Sequence, residues 1–155
     1  MTDPLEAQVA WLVANEKIRN VIARYAKAGD DFNDPDEMGK IFTEDAVWEA
    51  IGFGRFEGRD SIVAELATIG KEKIIWSLHF PATPIIDLNA SLDAAKVSWW
   101  LWELMTMREE QGDQNRWMGA TYDADFVRAA DAWRIKHLTL NIQKMVPFEE
   151  GPPPS

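Results

Sequence analysis

The sequence predicts an α+β fold, with a curved antiparallel (mixed) sheet wrapped around N-terminal helices. Three observations carry this. Helix signals are confined to roughly the first 70 residues. The remainder reads as long strands joined by tight turns, with no helix between the last three, which disfavours a parallel βαβ arrangement. The first long strand, "IIWSLHFPATPIIDLN", carries Pro81 and Pro84, and each removes a ladder donor and bends the strand. A bent sheet with helices across its concave face encloses a central pocket.

The elements follow in order. Asp3 is placed to cap the first helix, Pro4 suits its first position, and Glu6 suits the positive end of the helix dipole. Leu5, Val9, Leu12, Ile18, Ile22 and Tyr25 recur at helical spacing, and Gly29 is read as the stop. Pro35 opens a second short helix ending near Phe42. "DAVWEAIGFGRFEG" reads as strand, glycine turn and short strand. "GRDSIVAELATIG" is a third helix with Asp60 or Ser61 near its start and Gly70 just after it. "AAKVSWWLWELMTMRE", "NRWMGATYDADFVRAA" and "AWRIKHLTLNIQKMV" are three long strands, turned at "EEQGDQN" and "AADA". Residues 1–148 form one expected domain. The Pro-rich tail, 149–155, is either a disordered end or an arm on a neighbouring subunit.

Composition narrows the function. The 155 residues carry a net charge of -10 without a cationic cluster, which excludes nucleic acid and an anionic membrane surface as partners. Cysteine is absent, so thiolate catalysis and Cys-type zinc sites are excluded. No signal peptide or membrane-spanning run is evident, so a cytoplasmic location is expected. Eight tryptophans enlarge the core or line an aromatic pocket. Strand alternation puts Trp99 on one face and Trp100 with Trp102 on the other. An uncovered face of that kind implies a homo-oligomer.

The unusual residues are few. His79 sits in an apolar run, sharing a face with Ser77 while Trp76, Leu78 and Phe80 take the other. A neutral imidazole is the natural general base near pH 7, and a carboxylate on its second nitrogen fixes the tautomer. The bland reading is a hydrogen-bonded structural histidine. Glu103 shares a face with Trp99, Leu101, Met105 and Met107, so it must be paired, protonated or in a pocket; it is either an auxiliary acid or, as the favoured reading, paired with a Lys or Arg on a neighbouring strand. His137 shares a face with Ile135 and Thr139 and is either a second pocket residue or a surface or interface group. His79, His137 and Asp30 lack ligand spacing, so no metal is expected.

Three stretches, "IRNVIARYAKAGDD", "IFTEDAVWE" with "FEGRDSI", and "GATYDADFVRAADAWRIKH", resemble the SnoaL-like branch of the nuclear-transport-factor-2-like superfamily, over roughly residues 5–146. The resemblance implies a cone-shaped barrel with a central pocket, and a homo-oligomer that is a trimer or a dimer. It is nearest to the branch containing scytalone dehydratase and hexachlorocyclohexane dehydrochlorinase, where an Asp at the end of the first helix and a His on the first long strand form a dyad. Carried over, the His is His79. The Asp is Asp30 by helix register or Asp31 by counting back across the loop, and Asp30 is favoured because a helix is stiffer than a loop. Leu138 stands where the dehydrochlorinases carry an Arg, which argues against halide elimination. The implied activity is a lyase or isomerase without cofactor, acting on a small apolar cyclic or polyketide-type substrate. Tyr25 would polarise a carbonyl, and Trp48, Phe53, Trp76, Glu103 and His137 would line the pocket. The alternative is a non-catalytic member, either a ligand-binding protein or a subunit of the ring-hydroxylating dioxygenase small-subunit type.

Overall fold

The structure, a computed structural model, describes residues 4–130 and 132–149. The expected Asp3 cap and nearly all of the Pro-rich tail lie outside the described residues. Three helices, α1 (Pro4–Asp30), α2 (Pro35–Ile41) and α3 (Arg59–Lys73), accompany six strands. The strands are β1 (Phe42–Ala50), β2 (Gly54–Glu57), β3 (Ile74–Leu88), β4 (Ala94–Met107), β5 (Gln114–Ala129) and β6 (Ala132–Pro147). They form a single mixed, curved sheet in the order β2-β1-β6-β5-β4-β3. Among the described residues only the β1–β6 pairing is parallel, and the sheet they form does not close.

The sheet is antiparallel wherever a short turn joins its strands, because two-to-six-residue connections allow nothing else. Long β3 forms one edge. An edge strand tolerates Pro81 and Pro84, whose missing donors face outward rather than into a ladder. The register between β3 and β4 slips between Ala82 and Ile85, spanning the second proline, so β3 bends there without ending.

The core lies between the concave sheet face and the helices. Ile18, Ile22 and Tyr25 of α1 meet Phe42 and Trp48 of β1, with Trp99, Phe126 and Leu138 behind them. Each fully buried large apolar side chain contributes roughly 1.5–3 kcal/mol. Only the second half of α1 takes part. Val9, Trp11, Leu12 and Val13 of its first turns are exposed, so the apolar stripe predicted there is not buried within the chain.

Local chemistry explains the helix ends. The carboxylate of Asp34 accepts from the amide of Asp36, and Pro35 fits the first turn of α2. At the other end of α3, the Arg108 guanidinium donates to the carbonyls of Lys71 and Glu72. Gly29 and Gly70, expected to stop helices, lie inside them. Their smallness serves packing: a Cβ on Gly70 would collide with the Phe32 carbonyl, and one on Gly29 would meet the ring of His79.

Candidate active site

The last turn of α1 and the middle of β3 meet at one end of the cone. Helix α1 presents Tyr25 and Gly29, one turn apart, to a partly open cavity, while Asp30 lies on the adjacent face and reaches β3 instead. Five residues apart, Tyr25 and Asp30 project about 140° apart around the helix, and the helix need not unwind because only Tyr25 lines the cavity. Asp30 Oδ1 accepts from the backbone amide of His79 at 2.8 Å and contacts His79 Nδ1 at 2.7 Å. One carboxylate thus fixes both the strand and the ring. Asp31 points into a surface groove beside Asn20 and Arg24, away from the imidazole.

The other imidazole nitrogen faces the cavity. His79 Nε2 lies 3.4 Å from Oε2 of Glu103, which pairs with His79 across the β3–β4 ladder. Glu103 is only 5% exposed. Its partner is His79, not the Lys or Arg expected from sequence, because β4 is flanked here by β3 and by Met118 of β5, not by a basic residue. Burial pushes the Glu103 carboxyl up to about 7, against the opposing pull of the His79 charge and with the help of Asp30. Burial disfavours the imidazolium of His79. The hydrogen bond that Asp30 accepts from the ring and the charges of Glu103 and Asp30 together outweigh it, so the His79 pKa is raised.

Across the cavity stands a second polar group. Trp48 Nε1 donates to Tyr25 Oη at 2.9 Å, and the Tyr122 ring stands edge-on to that of Tyr25, centroids 5.8 Å apart. The indole N–H takes one acceptor position of the Tyr25 oxygen, and its O–H remains able to donate. Burial pushes the Tyr25 hydroxyl up to about 12, so it stays protonated across the working pH range. It is a neutral hydroxyl bordering the cavity and not an acid.

Phe53 and Trp48 line the same space, together with Leu66 and Ile69 of α3. Asn33 also lines it and donates to the Leu66 carbonyl at 2.8 Å, tying the α1–α2 turn to α3. The cavity volume is about 70 Å³. That is room for about two waters and well under the roughly 300 Å³ of an ordinary small-ligand site.

The structure therefore brings His79, Asp30, Tyr25, Trp48, Phe53 and Glu103 together. It does not bring Trp76 or His137 there. Trp76 is 48% exposed on the outer face, on the parity opposite His79. His137 is also on the outer face, where Nε2 contacts Glu49 Oε1 at 2.7 Å. A bulge explains its displacement. Phe126 pairs with Ile135 but Ala124 with Leu138, so β6 spends three residues where β5 spends two. Ile135 and Leu138 both face the core, and His137 is turned outward. Tyr122 and Asn33 were missed by sequence reasoning. Tyr122 was recoverable, since it lies within "GATYDADF"; Asn33 sits in a turn with no periodicity to read.

Residues 12–139 match the family model of the SnoaL-like domain. No curated protein matches the chain in sequence. Solved structures are similar throughout their length. A hexachlorocyclohexane dehydrochlorinase (LinA, type 2) shares 16% identity over 94% of this chain and 98% of its own, with a TM-score of 0.84. A protein provisionally assigned as a scytalone dehydratase from Novosphingobium aromaticivorans shares 21% identity over 93% of each chain, with a TM-score of 0.79. An NTF2-like superfamily protein from Salmonella enterica serovar Typhimurium shares 17% identity over 90% of this chain and 94% of its own, at 0.74.

Proposed function

The chain belongs to the SnoaL-like domain family, and from that premise we propose that it is a lyase or isomerase driven by side-chain acid–base chemistry. The substrate class is a small, largely apolar cyclic or polyketide-type carbonyl compound. One observation carries the reading. Asp30 holds Nδ1 of His79 at 2.7 Å while Nε2 faces a cavity walled by apolar side chains.

In the productive state Asp30 keeps the Nδ1–H tautomer, leaving the Nε2 lone pair as base. A C–H bond next to a carbonyl breaks, and its proton passes to Nε2. Its electron pair moves toward the carbonyl oxygen, which accepts from the Tyr25 hydroxyl. The enolate then either expels a group on the adjacent carbon or is protonated at a different carbon. The first outcome is dehydration, the second a double-bond shift. Leu138, fully buried in the core, supplies no cation for a halide.

We infer that the chain self-associates through its outer sheet face, where Trp100 is 50% and Trp102 46% exposed and Trp102 stacks on Trp117 at 4.7 Å. The same face supports the second reading, a non-catalytic subunit that docks on a larger partner.

3-Hydroxy-1-tetralone tests the enzyme reading. It has an acidic C–H beside a carbonyl and a β-hydroxyl, and loss of water gives fluorescent 1-naphthol. Turnover is expected for the native chain, with a decrease of about 10²–10⁴-fold in His79→Ala. Equal rates for the two proteins would sink this reading and leave the subunit.

A further inference from the structure

Elimination needs two proton positions, and the dyad supplies only one. His79 takes the proton from carbon, but hydroxide leaves readily only when it is protonated as it departs. Among the described residues, the candidates for that donor around the cavity are few. Tyr25 and Tyr122 are both held well above neutrality by burial and remain protonated throughout. Asp30 lies behind the ring and does not line the cavity. Glu103 does line it, is buried, and faces the reactive nitrogen from the neighbouring strand at 3.4 Å.

Resting on the dyad reading above, we propose that Glu103 is a second catalytic residue, the acid that delivers a proton to the leaving oxygen and recovers it from His79. The cycle balances. The resting pair holds one proton, on Glu103, with His79 neutral. The substrate C–H bond breaks and its proton goes to His79 Nε2, while the electron pair forms the new C=C bond. The C–O bond breaks, its pair stays on oxygen, and the Glu103 proton joins that oxygen, so water leaves. The site is then imidazolium and carboxylate. The proton crosses from Nε2 to Oε2 over the gap between paired strands and restores the start. Because base and acid sit on adjacent strands on one side of the cavity, both protons move on the same face of the substrate.

The geometry explains why an ionisable group is kept in so apolar a place. A carboxyl among Trp99, Leu101 and Met105 costs stability unless it is neutral or paired, and this one alternates between the two. Its environment places its titration near neutrality, to about 7, where an acid both donates and recovers a proton readily.

Two ketones separate base from acid. Exchange of the C2 hydrogens of 1-tetralone with deuterium oxide needs the base alone, while dehydration of 3-hydroxy-1-tetralone needs both. Glu103→Gln, close in size and shape, is expected to keep exchange within about threefold of the native rate and to lose dehydration by about 100-fold or more. Glu103→Asp keeps an acid and is expected to recover part of the dehydration. The native melting temperature in each variant checks that the fold is intact. If Glu103→Gln loses both reactions equally, or neither, the acid role is wrong while the dyad stands. If His79→Ala reacts like the native chain, or the native chain reacts with neither ketone, the dyad reading falls and this one with it.

Discussion

Gly29 lies directly under the imidazole of His79: a Cβ at that position would come within 2.9 Å of Cε1 and 3.1 Å of Nε2. The glycine is therefore a seat for the ring, in the last turn of a helix that continues past it. Replacing it sets two effects against each other. Alanine is about 0.8–1 kcal/mol better than glycine inside a helix. Overpacking against a side chain held by Asp30 costs about 1–3 kcal/mol. Gly29→Ala is expected to destabilise by under about 2 kcal/mol net, yet to lower turnover at least tenfold, because the ring must shift off Asp30. Chemical denaturation and the tetralone assay read the two effects separately. An unchanged rate would mean that ring placement is not limiting.

Asp30→Asn isolates the charge of the carboxylate from its shape. The side-chain oxygen still accepts from the His79 amide, so the strand stays anchored. Lost are the negative charge that favours the imidazolium and the control of the tautomer. The expected results are a lower His79 pKa and a fall in turnover of about 10²–10⁴-fold, followed by NMR titration of the imidazole and by rate. A His79 titration identical to the native one would show that Asp30 does not set its charge.

Stability should fall as pH rises from 5 to 8. Glu103 is raised by burial from 4.5 to about 7 in the folded chain. The folded state therefore holds a proton that the unfolded chain gives up across that window, and stability declines through it. His79 is raised as well, from 6.5. Burial opposes this, but the Asp30 hydrogen bond and the Glu103 and Asp30 charges prevail. Its contribution is complete below 6.5 and lost as pH passes the folded value, the same sign. The lowered carboxylates Asp45, Glu49, Asp93 and Glu109 act with the opposite sign, but only in more acidic solution. Calorimetry at pH 5, 6, 7 and 8 should show the midpoint dropping by several degrees, since each kcal/mol moves a chain this size by roughly 2–4 °C. A rising midpoint would contradict the assignment.

The sequence was legible where a stiff local rule applied. The resemblance implied an aspartate at the end of α1 beside His79, and helix register chose Asp30 over Asp31; strand parity put Ser77 with His79 and turned Trp76, Leu78 and Phe80 outward. Legibility ended where a non-local register decided the outcome. Nothing in "WELMTM" says that Glu103 meets His79 and not a lysine; that follows from the strand pairing. Parity also failed at His137, because one extra residue in β6 flips every side chain beyond it. Gly29 and Gly70 look like helix stops in sequence, since close approach to another element leaves no local trace.

Trp48→Phe tests the hydroxyl side of the site. The indole N–H donates to Tyr25 Oη at 2.9 Å, and the Trp48 ring stacks on Phe56 at 5.4 Å. Phenylalanine preserves an aromatic face for the stack and removes the donor. Loss of one buried hydrogen bond costs about 0.5–1.5 kcal/mol, with a further share from the smaller ring. The freed acceptor on Tyr25 lets its hydroxyl turn toward other partners and away from the substrate oxygen. A fall in kcat with little change in KM is expected, because polarisation matters most as the enolate forms. A rise in KM alone would make Trp48 a wall of the cavity and nothing more.

Self-association through the outer face is tested by charge. Trp100 and Trp102 are half exposed there, near Phe80 and Leu78 on β3. The chain carries a net charge of -10, so copies repel one another at long range, and only substantial apolar burial holds them together. Trp100→Glu adds a carboxylate to the centre of that patch and further charge to each copy. Its side chain lies on the face opposite the cavity, so folding and the His79–Asp30 pairing should be untouched. Sedimentation velocity is expected to find an oligomer for the native chain and a monomer for the variant, with far-UV circular dichroism unchanged. A native chain that sediments as a monomer at micromolar concentration leaves the patch for a different partner, as the subunit reading requires.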